Sequence, residues 1–531
     1  MTKLTAQKLK KYKLTILPIN NDTYELITVN NALSAYLKSL TVGRKATPRS
    51  WLYEHKDAKS ILQRWLPIME EANKKSPLGK DFDEFDRKQI EKFGPQGEVP
   101  PITDAAVLAV LEPLYIPSRY NDSTAFSSLF EDAHEFAKVA FGPRLCSNRP
   151  KSFKRVVDDI RAKKNSDSLT SNSGFPRFIR RNLVIDAEIQ DATTGKAYEY
   201  PAIILFRQYN GKLRPVWMFP MSLNLIEFSF AQPIQEALLN SQTEWIRDYV
   251  TPWRGFDDVK VTLTDSWEGE QLIGGDTTKM DANMRLAQIE LVFEIVKWFY
   301  QVQYWDDLHR SLQHICTIDL LVSTDSVLSG RHGLASGSGW TQLTETILQM
   351  FMAWRLQTRG QGIGDDFYWF SDMSADDMVE YLAKYGLPAN PSKQIVSSVE
   401  LHFLQRMFHQ GYFSRESDKV LGAYYPTVRG LNSMLQPERY HKPKDWSSDM
   451  FCIRNYMILE NCVDDPCFDE FLKFVVHGHK DMIPFAKKTD RELNAIQEKS
   501  REVRGLNPTY NQEKRDKPLS EFVSIKLARL L

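Results

Sequence analysis

The stretch Gly274-Gly275-Asp276-Thr277-Thr278-Lys279-Met280-Asp281 constrains this chain most, because it sets two carboxylates five residues apart just after a short apolar run. A carboxylate leaving the end of a strand can hold a divalent cation, and hard cations such as Mg²⁺ select oxygen ligands. One aspartate cannot build such a site. A second acidic cluster follows at Gly364-Asp365-Asp366, ahead of the strand-like aromatic run Phe367-Tyr368-Trp369-Phe370. Between the two lies Ser336-Gly337-Ser338-Gly339-Trp340-Thr341, a small-residue loop that opens an apolar helical pattern from Thr341 to Leu356.

Asp-x4-Asp, then Ser-Gly-x3-Thr, then Gly-Asp-Asp, in that order and within about a hundred residues, resembles the palm of viral RNA-dependent RNA polymerases. In detail the segments are most similar to those of the double-stranded RNA viruses that include picobirnaviruses and, more distantly, partitiviruses. The resemblance implies an α+β right-hand fold of fingers, palm and thumb, with an antiparallel palm sheet backed by helices. It places an N-terminal extension linking fingers and thumb at 1–110, fingers at 111–262 and 286–332, palm at 263–285 and 333–413, and thumb with a C-terminal tail at 414–531.

Composition adds limits. At 531 residues the chain can bury a large core and more than one subdomain. Its formal net charge is zero, so no global field advertises a nucleic-acid partner and local charge must do that work. Five cysteines, sparse and odd in number, argue against a secreted disulfide framework. Cys462 and Cys467 are expected to be ordinary buried thiols. Lys3, Lys8, Lys10, Lys11 and Lys13 are followed by no apolar segment of the signal-peptide kind. The longest apolar run, 105–116, is interrupted by Glu112 and Pro113 and is too short to span a bilayer. The expectation is a soluble protein in a reducing compartment.

Basic residues dominate from Arg144 to Arg181, with Lys151, Lys154, Arg155, Lys163 and Lys164 among them, and local charge of this kind can track phosphates. Within it, Ser171-Asn172-Ser173-Gly174-Phe175-Pro176 is turn-rich. It resembles the family motif at which the template enters, which implies RNA contact by Ser173, Gly174 and Arg177. Asn210-Gly211 predicts a hairpin that brings Arg207, Lys212 and Arg214 near one another. A Lys-x-Arg pair can offer an ammonium and a planar fork to a triphosphate, and these residues match the family's basic fingers motif.

The resemblance also implies the chemistry. Two Mg²⁺ (or Mn²⁺) ions would be held by Asp276 and Asp365 as bridging ligands, with Asp366 and the backbone carbonyl of Thr277 assisting. Lys393 would donate a proton to the departing pyrophosphate. Asp281 can accept a hydrogen bond from a ribose 2′ hydroxyl where DNA-making relatives place a bulky apolar group, and Ser336, Gly337 and Thr341 would complete that check. Glu345 stands where many members carry asparagine, and an ionised glutamate cannot donate a hydrogen bond, so Glu345 and Asp281 are expected to share a proton or a bridging group. Arg406 lies in the hairpin Phe403–Phe408 that would grip the nascent strand.

Other segments read structurally. Ser374 before Asp376 and Asp377 looks like a capped helix start. One helix is expected over 282–301. The stretch 487–531 reads as a solvated helical end of the thumb, with a product-channel tail as the alternative for 520–531. The implied partners are RNA template and product, nucleoside triphosphates and a viral capsid protein, with no membrane, in the virion interior and host cytoplasm. Two rival readings are a reverse transcriptase and a non-catalytic RNA-packaging protein that keeps the fold.

Overall fold

The aromatic run after Gly364-Asp365 pairs with the short apolar run before Asp276. In the computed structural model, which describes residues 11–143, 145–162, 168–503, 505–506 and 517–531, Leu272 lies opposite Phe370 and Gly275 opposite Phe367, antiparallel. The expectations placed on Lys3, Lys8, Lys10, Arg144, Lys163 and Lys164 lie outside the described residues, as does part of the 487–531 stretch. The sheet has four strands in the spatial order Gly360–Ile363, Asp366–Phe370, Leu272–Gly275, Ile395–Ser397.

Glycine is dictated here by close approach. A Cβ on Gly275 would lie 2.3 Å from the Phe367 ring, and one on Gly360 would lie 2.0 Å from the Tyr368 carbonyl oxygen. That explains why the Gly360–Ile363 strand looks poor in apolar residues: it is the sheet edge, pressed against its neighbours by its own backbone. Helix Thr341–Arg355 packs on the Gly360–Ile363 strand, Leu286–Val296 packs on that helix, and both share one large core with the helix Met221–Leu239. The same core takes in a second, five-stranded sheet in the order Thr15–Pro18, Ser326–Ser329, Leu320–Leu321, Ala202–Tyr209, Lys212–Met218. Asn210 and Gly211, both with φ near the left-handed region at 51° and 70°, form the two-residue turn between its last two strands.

A second core gathers helices Thr427–Leu435, Ser448–Glu460 and Phe468–Val476, together with Ala58–Asn73 and Gly79–Arg87 from the N-terminal segment. Residues 11–115 therefore contribute to both cores, with Leu33 and Val107 buried in the first and Trp65 and Phe82 in the second. The tie to the second core is chemical as well as apolar. The helix Thr427–Leu435 starts after Pro426 with no side-chain cap of its own, and Asp86 supplies one. Its carboxylate accepts from Thr427 N (2.7 Å), Thr427 Oγ1 (2.6 Å), Val428 N (2.8 Å) and Tyr424 OH (2.8 Å).

Two expectations change. The helix expected over 282–301 is broken into Met280–Asn283, Leu286–Val296 and a short 3-10 turn, because Arg285 caps the second piece, its N–H donating to Gln288 Oε1 at 2.9 Å. The C-terminal piece is neither solvated nor a channel tail. Phe522 and Ile525 are fully buried in the second core, and Glu460 accepts from Val523 N and Ser524 N at 3.0 Å each. Cys462 and Cys467 are buried thiols, as the sequence reading has them. Among the described residues no helix is long and apolar enough to cross a membrane.

Candidate active site

Asp276 emerges from the end of Leu272–Gly275 with its carboxylate exposed and its backbone fixed. Gln394, buried, accepts from Asp276 N (3.1 Å) and donates to Asp276 O (2.8 Å) and Asn390 O (3.1 Å). Thr278 N donates to Pro388 O at 2.8 Å, so 276–278 is laid along 388–394 and Lys393 faces Asp276 electrostatically. Lys279 adopts φ 50°, an αL turn that starts the short helix carrying Asp281.

Gly364-Asp365 is the two-residue turn of the adjacent hairpin, since Ile363 pairs with Asp366. Gly364 has φ 59° at the first central position, where a type II′ hairpin takes glycine. The helix Thr341–Arg355 aims this turn. Gly364 N donates to Thr346 Oγ1 at 2.9 Å, and Gln349 Nε2 donates to Gly364 O. Asp365 is exposed at the tip, while Asp366 turns inward and accepts from Leu404 N at 2.9 Å. Leu404 and Gln405 make the turn between Glu400–Phe403 and Arg406–His409 with φ of 51° and 64°, a conformation costly for a branched side chain. That strained turn is seated on Asp366.

Electrostatics bind these acids into one site. Partial desolvation raises Asp276, Lys393 opposes this, Asp365 adds to it and Lys212 opposes it again. Burial pushes Asp366 up to about 7, with the like charges of Asp365 and Asp276 contributing. Burial also raises Asp281, against a hydrogen bond from Glu345 and the charge of Arg214. Glu345 is held well above the usual range by burial and by Asp281 beside it. Both members of this buried pair are thus raised, Glu345 the more, and Glu345 Oε1 has no hydrogen-bond partner.

Among the described residues no group of three or more His, Cys, Asp or Glu side chains converges closely enough to hold a metal ion. The donor set nonetheless suits a hard cation in kind. Asp276, Asp365 and Asp366 are oxygen donors that repel one another, and the repulsion is what a bound cation relieves.

Lys212 and Arg214 face this cluster electrostatically, Lys212 toward Asp276 and Arg214 toward Asp281. Arg207 lies directly opposite Arg214 on the hairpin, near the pair as expected, but turns to Glu438 instead of the acids. It forms a two-bond ion pair with Glu438, at 2.9 and 2.7 Å, and it and Arg214 flank the Tyr209 ring. The Ser336–Thr341 loop is strapped to the same hairpin. Trp217 N donates to Ser336 O at 2.7 Å, Gly337 has φ 119° against the Trp217 carbonyl, and Thr341 Oγ1 donates to Ala335 O at 3.2 Å.

The four residues expected to contact RNA are engaged within the chain in this structure. Ser173 is fully buried, its N–H donating to Ile179 O, and Gly174 packs where a Cβ would lie 2.4 Å from Phe219 O. Arg177 is neutralised by Glu188 and Asp191, each at 2.8 Å. Arg406 is 4% exposed, stacked 3.8 Å over Phe256 and donating to Asn461 Oδ1 at 2.9 Å. These side chains build the turn and the hairpin and offer no phosphate a free cation. The acidic pair Asp376-Asp377 is structural as expected, with Ser374 and Asp377 forming a reciprocal cap.

Sequence reasoning missed Gln394, Thr346, Gln349, Glu227 and the Leu404 N–H. A polar residue inside an otherwise apolar helix was the available signal for Thr346, Gln349 and Glu227. Nothing local marks Gln394 or Leu404, because their partners are more than thirty residues away.

No family model matches the chain. It is similar to a potential RNA-dependent RNA polymerase of Human picobirnavirus (strain Human/Thailand/Hy005102/-), 24% identical over 488 residues, 85% of this chain and 86% of the relative. It is also similar to an RNA-directed RNA polymerase of Cryptosporidium parvum virus 1 (strain KSU-1), 21% identical over 147 residues, 28% of each chain. The crystal structure of the RNA-dependent RNA polymerase of a human picobirnavirus matches with a TM-score of 0.76 at 20% identity, covering 96% of this chain and 99% of that one. An insertion-loop deletion mutant of such a polymerase matches with a TM-score of 0.72 at 21% identity, covering 88% and 94%. The resemblance read from the motifs therefore extends over most of the chain, and the fold is that of a viral right-hand polymerase.

Proposed function

We propose that this chain is an RNA-directed RNA polymerase that replicates and transcribes a double-stranded RNA viral genome by nucleotidyl transfer at Asp276, Asp365 and Asp366. The observation that carries this is that a strand end and a hairpin turn bring Asp276, Asp365 and Asp366 within repelling distance of one another, faced by Lys393 and Lys212. An inert scaffold has no use for such repulsion.

Asp276, Asp365, Asp366 and the Thr277 carbonyl would hold two Mg²⁺ or Mn²⁺ ions, which when bound supply charge neutralisation at the attacking and leaving oxygens. The residues themselves position and select. Gln394 keeps the Asp276 backbone at a fixed angle, and Leu404 N keeps the Asp366 carboxylate turned inward. Lys393 would give its proton to the pyrophosphate leaving group, and Lys212 and Arg214 would receive the triphosphate. Glu345, as the protonated partner, leaves Asp281 free to accept a 2′ hydroxyl beside Ser336, Gly337 and Thr341. A reverse transcriptase is disfavoured because Asp281 cannot block that hydroxyl, and the relatives are named as RNA polymerases. In this reading fingers, palm and thumb follow the boundaries given above, Arg207 joins the triphosphate contacts only by leaving Glu438, initiation needs no primer, and the enzyme works in the virion interior and host cytoplasm beside capsid protein.

The test is incorporation of labelled ribonucleotides on single-stranded RNA without primer, with Mg²⁺ or Mn²⁺, by the intact chain and by Asp365→Ala. Product that disappears in the variant is expected. Equal product from both would mean the acids are misassigned. Product from neither, with or without an annealed primer, while RNA is still bound, would favour the packaging protein.

A further inference from the structure

Glu227 is a buried carboxylate on the helix Met221–Leu239, 3% exposed, outside every segment discussed for catalysis. It points into the loop that would check the ribose. Ser338 Oγ donates to Glu227 Oε1 at 2.5 Å, Gly339 N donates to Oε2 at 2.6 Å, and Asn224 Nδ2 donates to Oε2 at 2.9 Å. The fit is tight on the loop side as well, since a Cβ on Gly339 would lie 3.1 Å from Glu227 Oε2 and 2.8 Å from the Phe228 ring. The same cluster continues outward, because Asn224 Oδ1 accepts from Arg181 at 2.8 Å, and Arg181 Nε donates to Asn172 O at 3.1 Å in the turn where the template is expected to enter.

We propose that Glu227 is a positioning residue for sugar choice: Ser338 Oγ and Gly339 N of the loop converge on its two oxygens, Asn224 of its own helix holds the carboxylate, and the Ser336–Thr341 loop is thereby fixed at the height at which it meets a ribose. The chemistry is specific to a carboxylate. It presents acceptors on both oxygens, whereas a glutamine that keeps its oxygen for Gly339 N and Asn224 turns its NH₂ on Ser338 Oγ, which already accepts from Trp340 N at 3.0 Å and loses its own acceptor. The other end of the loop is already anchored, by Trp217 N on Ser336 O, so releasing the Glu227 end lets the loop pivot without unfolding. Burial pushes the Glu227 carboxyl up to about 7, and the Ser338, Gly339 and Asn224 donors work against that rise, as expected of a group kept for its contacts.

This inference rests on the polymerase reading, and one experiment separates the two. Single-nucleotide incorporation on an annealed RNA template and primer is measured with ribo- and 2′-deoxyribonucleoside triphosphates for the intact chain, Glu227→Gln, Glu227→Asp and Ser338→Ala. For Glu227→Gln the KM for the matched ribonucleotide is expected to rise about tenfold with kcat within about threefold. The preference for ribose should fall by a similar factor, with Glu227→Asp between the two. Unchanged preference, or a drop in kcat alone, overturns the proposal, since a merely structural role lowers the active fraction and leaves KM and sugar choice alone. If Glu227→Gln gives no cooperative melt, Ser338→Ala decides in the same way: a weakened preference supports the proposal and an intact one overturns it. Failure of the intact chain to extend any primer removes the polymerase reading and this inference together. Extension with firm ribose preference in every variant removes only the inference.

Discussion

Asp86 and Asp366 are both carboxyls that burial pushes above the usual range, to about 6 and about 7, yet the two regions treat them oppositely. Around Asp86 the protein closes ranks. Four donors from the start of Thr427–Leu435 and from Tyr424 meet it, and Trp65 Nε1 in turn donates to Thr427 Oγ1 at 2.8 Å. Around Asp366 it supplies one donor, Leu404 N, and brings Asp365 and Asp276 close with the same sign of charge. The first arrangement stabilises a junction between the N-terminal segment and the second core. The second sets like charges side by side, with Lys393 and Lys212 opposing them from the Asp276 side, as an active site does and a scaffold does not.

The contrast is broken most severely in the palm. Asp276→Asn should reduce nucleotide incorporation by on the order of a thousandfold, about 4 kcal/mol of barrier. The melting temperature should hold or rise, because a like charge beside Asp365 is gone. A melting temperature that fell along with activity would show Asp276 to be a structural acid. At the junction the outcome reverses. Asp86→Ala orphans the N–H groups of Thr427 and Val428 and the Tyr424 hydroxyl, and should cost about 3 kcal/mol of stability, read by denaturant or thermal melts. The molecules that remain folded should keep their rate of synthesis.

A smaller effect is expected at the turn that carries Asp365. Gly364→Ala places a side chain at φ 59° with its Cβ 3.3 Å from Glu345 Oε2. The strain is about 1–2 kcal/mol, and it is applied where the turn is bonded to Thr346 and Gln349. Incorporation should fall about tenfold through misplacement of Asp365, with a melting shift of only a few degrees. An unchanged rate would mean that the turn tolerates tilting and that its glycine serves the hairpin alone.

How far these arrangements were legible in sequence follows from how local their causes are. The Asn210-Gly211 hairpin, the Ser374 cap and the acidic turn Gly364-Asp365 are written within a few residues of each other, and each appears where the pattern puts it. The fold itself was legible only through the ordered motifs, since the four-stranded sheet joins strands more than a hundred residues apart in the chain. The intrachain partners of the cationic residues were illegible for the same physical reason. Arg177 and Arg406 have the charge that phosphate binding needs, but Glu188, Asp191, Asn461 and Phe256 claim them through contacts that no local spacing reveals. The C-terminal piece misled differently: its polar flanks suggested solvent, and it is docked by Glu460, which lies 63 residues from Val523.

The smallest prediction sharpens the comparison by pH. In the folded chain Asp86 titrates at about 6, above its ordinary 3.8. Between those values the folded state keeps a proton that the unfolded chain has released, so this group's contribution to stability is full below the lower value and is lost as pH rises through the upper one. Asp86→Asn does not titrate. Its stability deficit against the intact chain should therefore be larger at about pH 5 than at about pH 7.5, by about 1 kcal/mol. Asp465 and Cys467 face the same cluster and are raised by the charge of Asp86, so the variant relieves them once Asp86 would ionise, which shifts the difference in the same direction. A deficit that instead grew with pH would mean the four donors outweigh burial and hold Asp86 below its ordinary value. The junction would then be a site of stabilised charge, and its contrast with the palm would be sharper still.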